Sequence, residues 1–148
     1  MSPLEILLLF RRAPAALPRR DLKDFAQQLR QQVAGGRAFV CLITDDRELR
    51  RLNREFLQND YPTDVLSFPS ENAEGDLGEI AISSGRATAQ ALEFGHSVTQ
   101  EIQILMLHGL LHLIGMDHES DAGEMLRAEK RWRKHFHLPN GLIERVRA

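Results

Sequence analysis

Apolar positions recur along the chain with two different periods. In "DLKDFAQQLRQQVA", Leu22, Phe25, Leu29 and Val33 fall on one stripe of a helix, which predicts an amphipathic helix with Asp21 as its N-cap and Gly35 and Gly36 as its stop. "RAFVCLIT" (37–44) is a β-rich apolar run and predicts a core strand. A short run from Ile6 to Phe10 predicts a buried first strand, and a Pro/Ala/Arg connector, "RRAPAALPRR", follows it. Asp45 and Asp46 open a short helix over "RELRRLNREF". "NDYPTD" reads as a turn, "VLSFP" (65–69) as a strand ended by Pro69, "SENAEGD" as a loop and "LGEIAIS" (77–83) as a further strand. "GRATAQALEFG" predicts a helix closed by Gly95.

Ser97 and Gln100 form a capping box before a long helix at about 98–114. That helix is apolar nearly all round, through Ile102, Ile104 to Leu107, Leu110, Leu111, Leu113 and Ile114, so it belongs at the centre of a fold. A last helix runs from near Glu119 to about Phe136 and carries Arg127, Lys130, Arg131, Arg133 and Lys134. The order β-α-β-α-β-β-α-α-α predicts an α+β fold: a single domain over 1–148, with one small mostly parallel or mixed sheet around the central buried helix. A length of 148 residues suits one domain, and a hydrophobic fraction of 43% fills one core.

Nineteen basic and twenty-one acidic side chains give a net charge of -2, so RNA binding requires a local basic patch. The single cysteine, Cys41, excludes an intramolecular disulfide and fits a reducing compartment; it reads as a packing residue. The N-terminal apolar run is too short for a secretory signal, with Glu5 before it and arginines after it. No stretch approaches the ~20 apolar residues of a membrane helix, so the expectation is a cytoplasmic protein with no membrane partner.

The candidate chemistry lies in "HGLLHLIGMDH" (108–118), a ladder of three histidines spaced H-x3-H-x5-H with Gly115 three residues after the second. His108 and His112, four apart on the central helix, share a face. Gly115 lets the backbone leave the helix, and the turn can return His118 toward the first two rings. Three neutral imidazoles with an open fourth position match a catalytic zinc site. Imidazole also suits nickel, copper or iron. Asp117 reads as a ligand, a partner of one ring or a turn residue, the last two favoured, and Glu101 as a supporting acid or a helix N-terminal acid.

The ladder resembles that of the metzincin proteases, but Gly109 stands where they carry their catalytic Glu. A metal lowers the pKa of its water without a carboxylate base, yet a peptidase would lack the acid for the leaving amine. A phosphodiester needs charge stabilisation instead, which metal and arginine supply. Arg47, Arg51 and Arg54 share one helix face, with Glu48 and Glu55 as the salt partners that would make it an ordinary solvated surface.

"HGLLHLIGMDH", with "LN..F...DYPTDVLSFP", "LGEIAIS" and "EM...E" (Glu124, Met125, Glu129), resembles the bacterial YbeY family of metal-dependent endoribonucleases of rRNA maturation. The resemblance runs from about Leu52 to the final helix, and departs from the usual pattern at Met116 and Glu79. It implies an α+β metalloprotease-like fold, one zinc ion held by His108, His112 and His118, and Arg54 as the functional arginine of the cleft. It further implies single-stranded RNA, rRNA and ribosomal subunits as substrates and partners, with ribosomal proteins or a ribosome-associated GTPase beside them, and a role in ribosome maturation and quality control. Two other readings compete with it. One is a ribosome-assembly binding factor whose metal is structural; the other is a metal-dependent hydrolase of a peptide or small molecule.

Overall fold

Strand β2 (Ala38–Thr44) has two unlike faces. Phe39, Cys41 and Ile43 are buried in the main core, while Val40 and Leu42 between them are only half-buried. Alternation at period 2 thus gives the sheet one densely covered side and one partly covered side. The computed structural model describes residues 7–58, 63–71, 75–117 and 121–147. Within them β1 (Leu8–Phe10), β2, β3 (Val65–Pro69) and β4 (Asp76–Ser83) form one sheet in the order β1-β2-β4-β3. β1, β2 and β4 run parallel, and β3 pairs antiparallel with β4 at the edge. This is the small mixed sheet that the element order predicts.

Helices α1 (Arg19–Gln32), α4 (Val98–Leu113) and α5 (Glu124–His135) contribute to the main core on the dense side. α4 buries Ile102, Leu105, Met106, Leu110 and Leu111 against it, as expected of a helix apolar on every face. Its start is the predicted capping box: the Ser97 hydroxyl accepts from Gln100 N at 3.0 Å, and Gln100 Oε1 accepts from Ser97 N at 3.1 Å. On the other side of the sheet α2 (Asp46–Leu57) packs Leu49 and Leu52 onto Leu66, Phe68 and Ala81. α3 (Ser84–Phe94) follows β4 directly and ends at Gly95 in the left-handed region.

Two boundaries and one added helix differ from the sequence reading. α1 begins at Arg19 with Pro18 as its N-cap, not Asp21, because the Pro18 carbonyl already accepts from Leu22 N at 3.1 Å. Asp21 sits in the first turn, where its charge favours the helix dipole. α5 is described from Glu124 rather than Glu119, with residues 118–120 outside the described set. A further helix, α6 (Leu142–Arg147), follows it. Its six residues are too few to show a period. Parts of the predicted 59–64 turn and 70–76 loop, and Ile6 of the first strand, also fall outside the described residues. Among the described residues no helix is long and apolar enough to cross a membrane.

Candidate metal centre

The two helix histidines meet as their spacing requires. The rings of His108 and His112 lie 4.8 Å apart, centroid to centroid, at an interplanar angle of 79°. Each is fixed through Nδ1. His108 Nδ1 donates to Glu129 Oε2 of α5 at 2.9 Å, and His112 Nδ1 donates to the Met116 carbonyl at 2.9 Å. Both acceptors are oxygens, so the Nδ1 proton is specified and the lone pair of each ring is left on Nε2.

The Met116 carbonyl reaches His112 because of how α4 ends. Gly115 takes φ 105, Met116 N donates to Leu111 O at 3.1 Å and Gly115 N to His112 O at 2.9 Å. This is a Schellman stop, which only a residue tolerant of positive φ can make cheaply. The predicted glycine turn therefore does two things: it ends the helix and it orients the His112 ring.

Glu129 is the residue that sequence reasoning placed in a motif without giving it a task. It is 1% exposed, and its second oxygen accepts from Ile143 N at 2.9 Å. A Cβ on Gly141 would stand 2.2 Å from Glu129 Oε1, so a side chain there would have to displace this carboxylate. The available signal was a buried-looking Glu on the apolar side of α5, one turn after Met125.

His108 and His112 line an open pocket of about 560 Å³ with Thr63, Asp64, Ser67, Met116 and Asp117. Gly109 forms its closest contact with the sheet. Its carbonyl accepts from Ser67 Oγ at 3.0 Å, and a Cβ would stand 2.8 Å from Ile80 Cγ2. The position that holds a catalytic Glu in proteases is here pressed against β3 and β4, with no room for a side chain. His118 lies outside the described residues; among those described, no three potential ligands cluster.

The donor set fits a transition-metal ion. Two imidazoles with fixed Nδ1 protons stand side by side in an accessible pocket backed by leucine and isoleucine.

Other expected groups go elsewhere. Arg54 does not line the histidine pocket. It lines a separate concavity with Arg11, Arg12, Arg47, Arg50 and Arg51, between α2 and the end of β1. The foreseen salt partners are present but serve Arg51, which donates to Glu48 at 2.7 Å and to Glu55 at 2.8 Å. Glu101 stands in the first turn of α4, as an N-terminal acid does, and among the described residues its hydrogen-bond partners are not the pocket histidines. It is fully buried and accepts from Arg145 at 2.6 and 2.9 Å, from Gln90 at 2.7 Å and from His96 at 2.6 Å. Burial alone would raise its carboxyl, but the hydrogen bonds from Arg145, His96 and Gln90 outweigh that and hold it below the ordinary range. The basic turns of α5 are partly structural: Arg133 pairs with Glu144 at 2.9 Å, and Trp132 stacks on Phe136 at 6.0 Å. Cys41 is buried, which pushes its thiol up and fits packing rather than nucleophilic chemistry.

Comparison with known proteins agrees with this geometry. The family model described as Endoribonuclease YbeY matches residues 15–137. A protein of Solibacter usitatus named Endoribonuclease YbeY is 58% identical, covering 99% of both chains. One of the same name from Koribacter versatilis is 45% identical over 95% of this chain and 91% of its own. The solution structure of TM1509 from Thermotoga maritima superposes with a TM-score of 0.62 at 26% identity, covering 89% of this chain and 91% of that one. A buried helix that presents two pinned histidines, joined to a full-length match of this quality, places the chain in the endoribonuclease YbeY family.

Proposed function

We propose that this chain is a zinc-dependent endoribonuclease that cuts single-stranded RNA in the maturation and quality control of ribosomal RNA. The observation that carries the reading is the His108–His112 pair, each ring oriented by an oxygen on Nδ1, in a pocket of a chain whose family is named for RNA cleavage. His108 and His112, with His118 as the third ligand, would hold the ion, and nickel or another divalent metal suits the same donors. When bound, the ion supplies Lewis-acid stabilisation of a phosphate and a water of lowered pKa.

The chain's own residues set what else the pocket can do. Glu129 keeps the His108 ring in one orientation and its proton on Nδ1. Gly109 offers no general base, so the pocket is poorly equipped to protonate a leaving amine. Thr63, Asp64 and Ser67 give the opposite wall polar groups against which a nucleotide can be oriented. Arg54 serves as a phosphate ligand on the arginine-lined side, where it would grip the strand at a distance from the scissile bond. The partners this implies are cytoplasmic: ribosomal subunits, their proteins and a ribosome-associated GTPase.

Cleavage of a single-stranded and a fully paired RNA of equal length, by zinc-loaded protein, tests the reading. Cutting should be confined to the single strand and lost in His112→Ala. Cutting that survives in His112→Ala would sink it.

One observation favours a second reading, an assembly factor with a structural metal. Glu129 ties His108 to Ile143 N, so the metal site is mechanically joined to α6. Chelation separates the two. A structural metal should take the thermal transition with it, whereas a catalytic one should cost activity while the fold persists.

A further inference from the structure

The concavity that holds Arg54 has a feature that the arginine spacing on α2 does not reveal. The connector after β1 contributes Arg11 and Arg12 to the same surface as Arg47, Arg50, Arg51 and Arg54. Six guanidinium groups and one carboxylate, Glu48, line about 660 Å³ of space in a chain whose net charge is -2. The charge asymmetry is therefore strong and local.

Glu48 does not neutralise the surface so much as assemble it. It is buried, and it accepts from Arg51 at 2.7 and 3.0 Å and from Arg11 at 3.1 Å. The Arg51 hydrogen bond, against the opposing effect of burial, holds its carboxyl below the ordinary range. The clamp fastens the end of β1 to α2. Among the described residues, no ion pair or hydrogen bond occupies the side chain of Arg12, Arg47 or Arg54, and all three are exposed. Arg12 also takes φ 54, a left-handed conformation that is costly for a residue with a side chain. Such strain is characteristic of functional positions.

We infer that this concavity is a second RNA-binding site, in which Arg12, Arg47 and Arg54 grip the phosphates of a single strand outside the histidine pocket. The inference rests on the RNA reading proposed above. Two features favour a nucleic-acid backbone over an acidic protein. Among the described residues the lining contains no apolar side chain, whereas protein interfaces are built around apolar and aromatic anchors. Guanidinium forks also match phosphate oxygens in pairs. The site shares no described lining residue with the histidine pocket, so a strand gripped here is held outside that pocket.

The test is fluorescence anisotropy of a labelled single-stranded RNA with the full chain, titrated in salt. The proteins are wild type, Arg12→Ala/Arg47→Ala and Arg131→Ala/Lys134→Ala, the last removing two charges from α5. Each phosphate contact to a single strand contributes about 0.7 to the slope of log K against log salt, so the first double variant should be shallower by roughly 1.4 and bind more weakly. The α5 variant should keep the wild-type slope. An unchanged slope in Arg12→Ala/Arg47→Ala, an equal loss in both double variants, or no binding by wild type overturns the inference. Cleavage, measured separately on the same proteins, judges the nuclease. Cutting with an unchanged slope removes this site and leaves the enzyme, and arginine-dependent binding without cutting does the reverse.

Discussion

His108 and Glu129, 21 residues apart in the chain, are joined by a 2.9 Å hydrogen bond between Nδ1 and Oε2, and neither side chain is appreciably exposed. The carboxylate fixes which ring nitrogen faces the pocket. Removing it should weaken metal binding without removing a ligand. Glu129→Ala is expected to lower zinc affinity by roughly 10- to 100-fold, the usual effect of losing such a partner. Calorimetric titration with zinc checks it, and wild-type affinity in the variant would show that the ring orients without Glu129.

Gly109 should be intolerant of any side chain. Glycine inside a helix costs about 1 kcal/mol relative to alanine, so Gly109→Ala ought to stabilise α4 if space allowed. Space does not allow it, because the new Cβ would stand 2.8 Å from Ile80 Cγ2 in the core. Overpacking of about 1–3 kcal/mol should outweigh the helical gain. Urea unfolding of Gly109→Ala should show net destabilisation, and the penalty should shrink in an Ile80→Ala background. Gly109→Glu should be worse and should confer no peptidase activity.

Glu101 is the buried anchor of the C-terminal segment. Arg145 reaches it with two guanidinium nitrogens, and His96 and Gln90 complete its shell. Glu101→Ala leaves a buried guanidinium without its carboxylate, which costs about 3–5 kcal/mol in such pairs. Denaturant unfolding reads the loss directly, and a cost below 1 kcal/mol would show that water replaces the carboxylate.

Acid stability follows from the same group. The folded Glu101, Glu48 and Glu144 carboxyls all lie below their ordinary value of 4.5. Groups depressed in the folded state add stability that is full above the unfolded value and disappears as pH falls through the folded one. The thermal midpoint should therefore be flat above about pH 5 and drop below 4.5. In Glu101→Gln the drop should be shallower; an identical acid limb would assign the acid sensitivity to other carboxylates.

The sequence by itself determined every element that carries a strong period or a defined stop. The alternation in 38–44 made a strand with one buried face, and the all-round apolar run at 98–113 made a central helix. The spacing of four between His108 and His112 had to bring the rings together, because helical geometry is local and leaves no alternative. Gly115 likewise announced the helix stop, although not that the freed Met116 carbonyl would orient His112.

What only the tertiary structure decided involves partners distant in sequence. Glu129 became the support of His108 because α5 packs across α4, and Glu101, which the sequence offered for that task, turned toward Arg145. Gly109 is glycine because β4 lies against it, a steric fact that no pattern in "HGLLH" contains. Arg54 lines one concavity with Arg11 and Arg12 because the Glu48–Arg11 pair fastens the end of β1 to α2. Periodicity specifies which face of an element is apolar, but the neighbour that face meets depends on the packing of the whole chain, and the chemistry of a buried carboxylate or an exposed arginine is set by that neighbour.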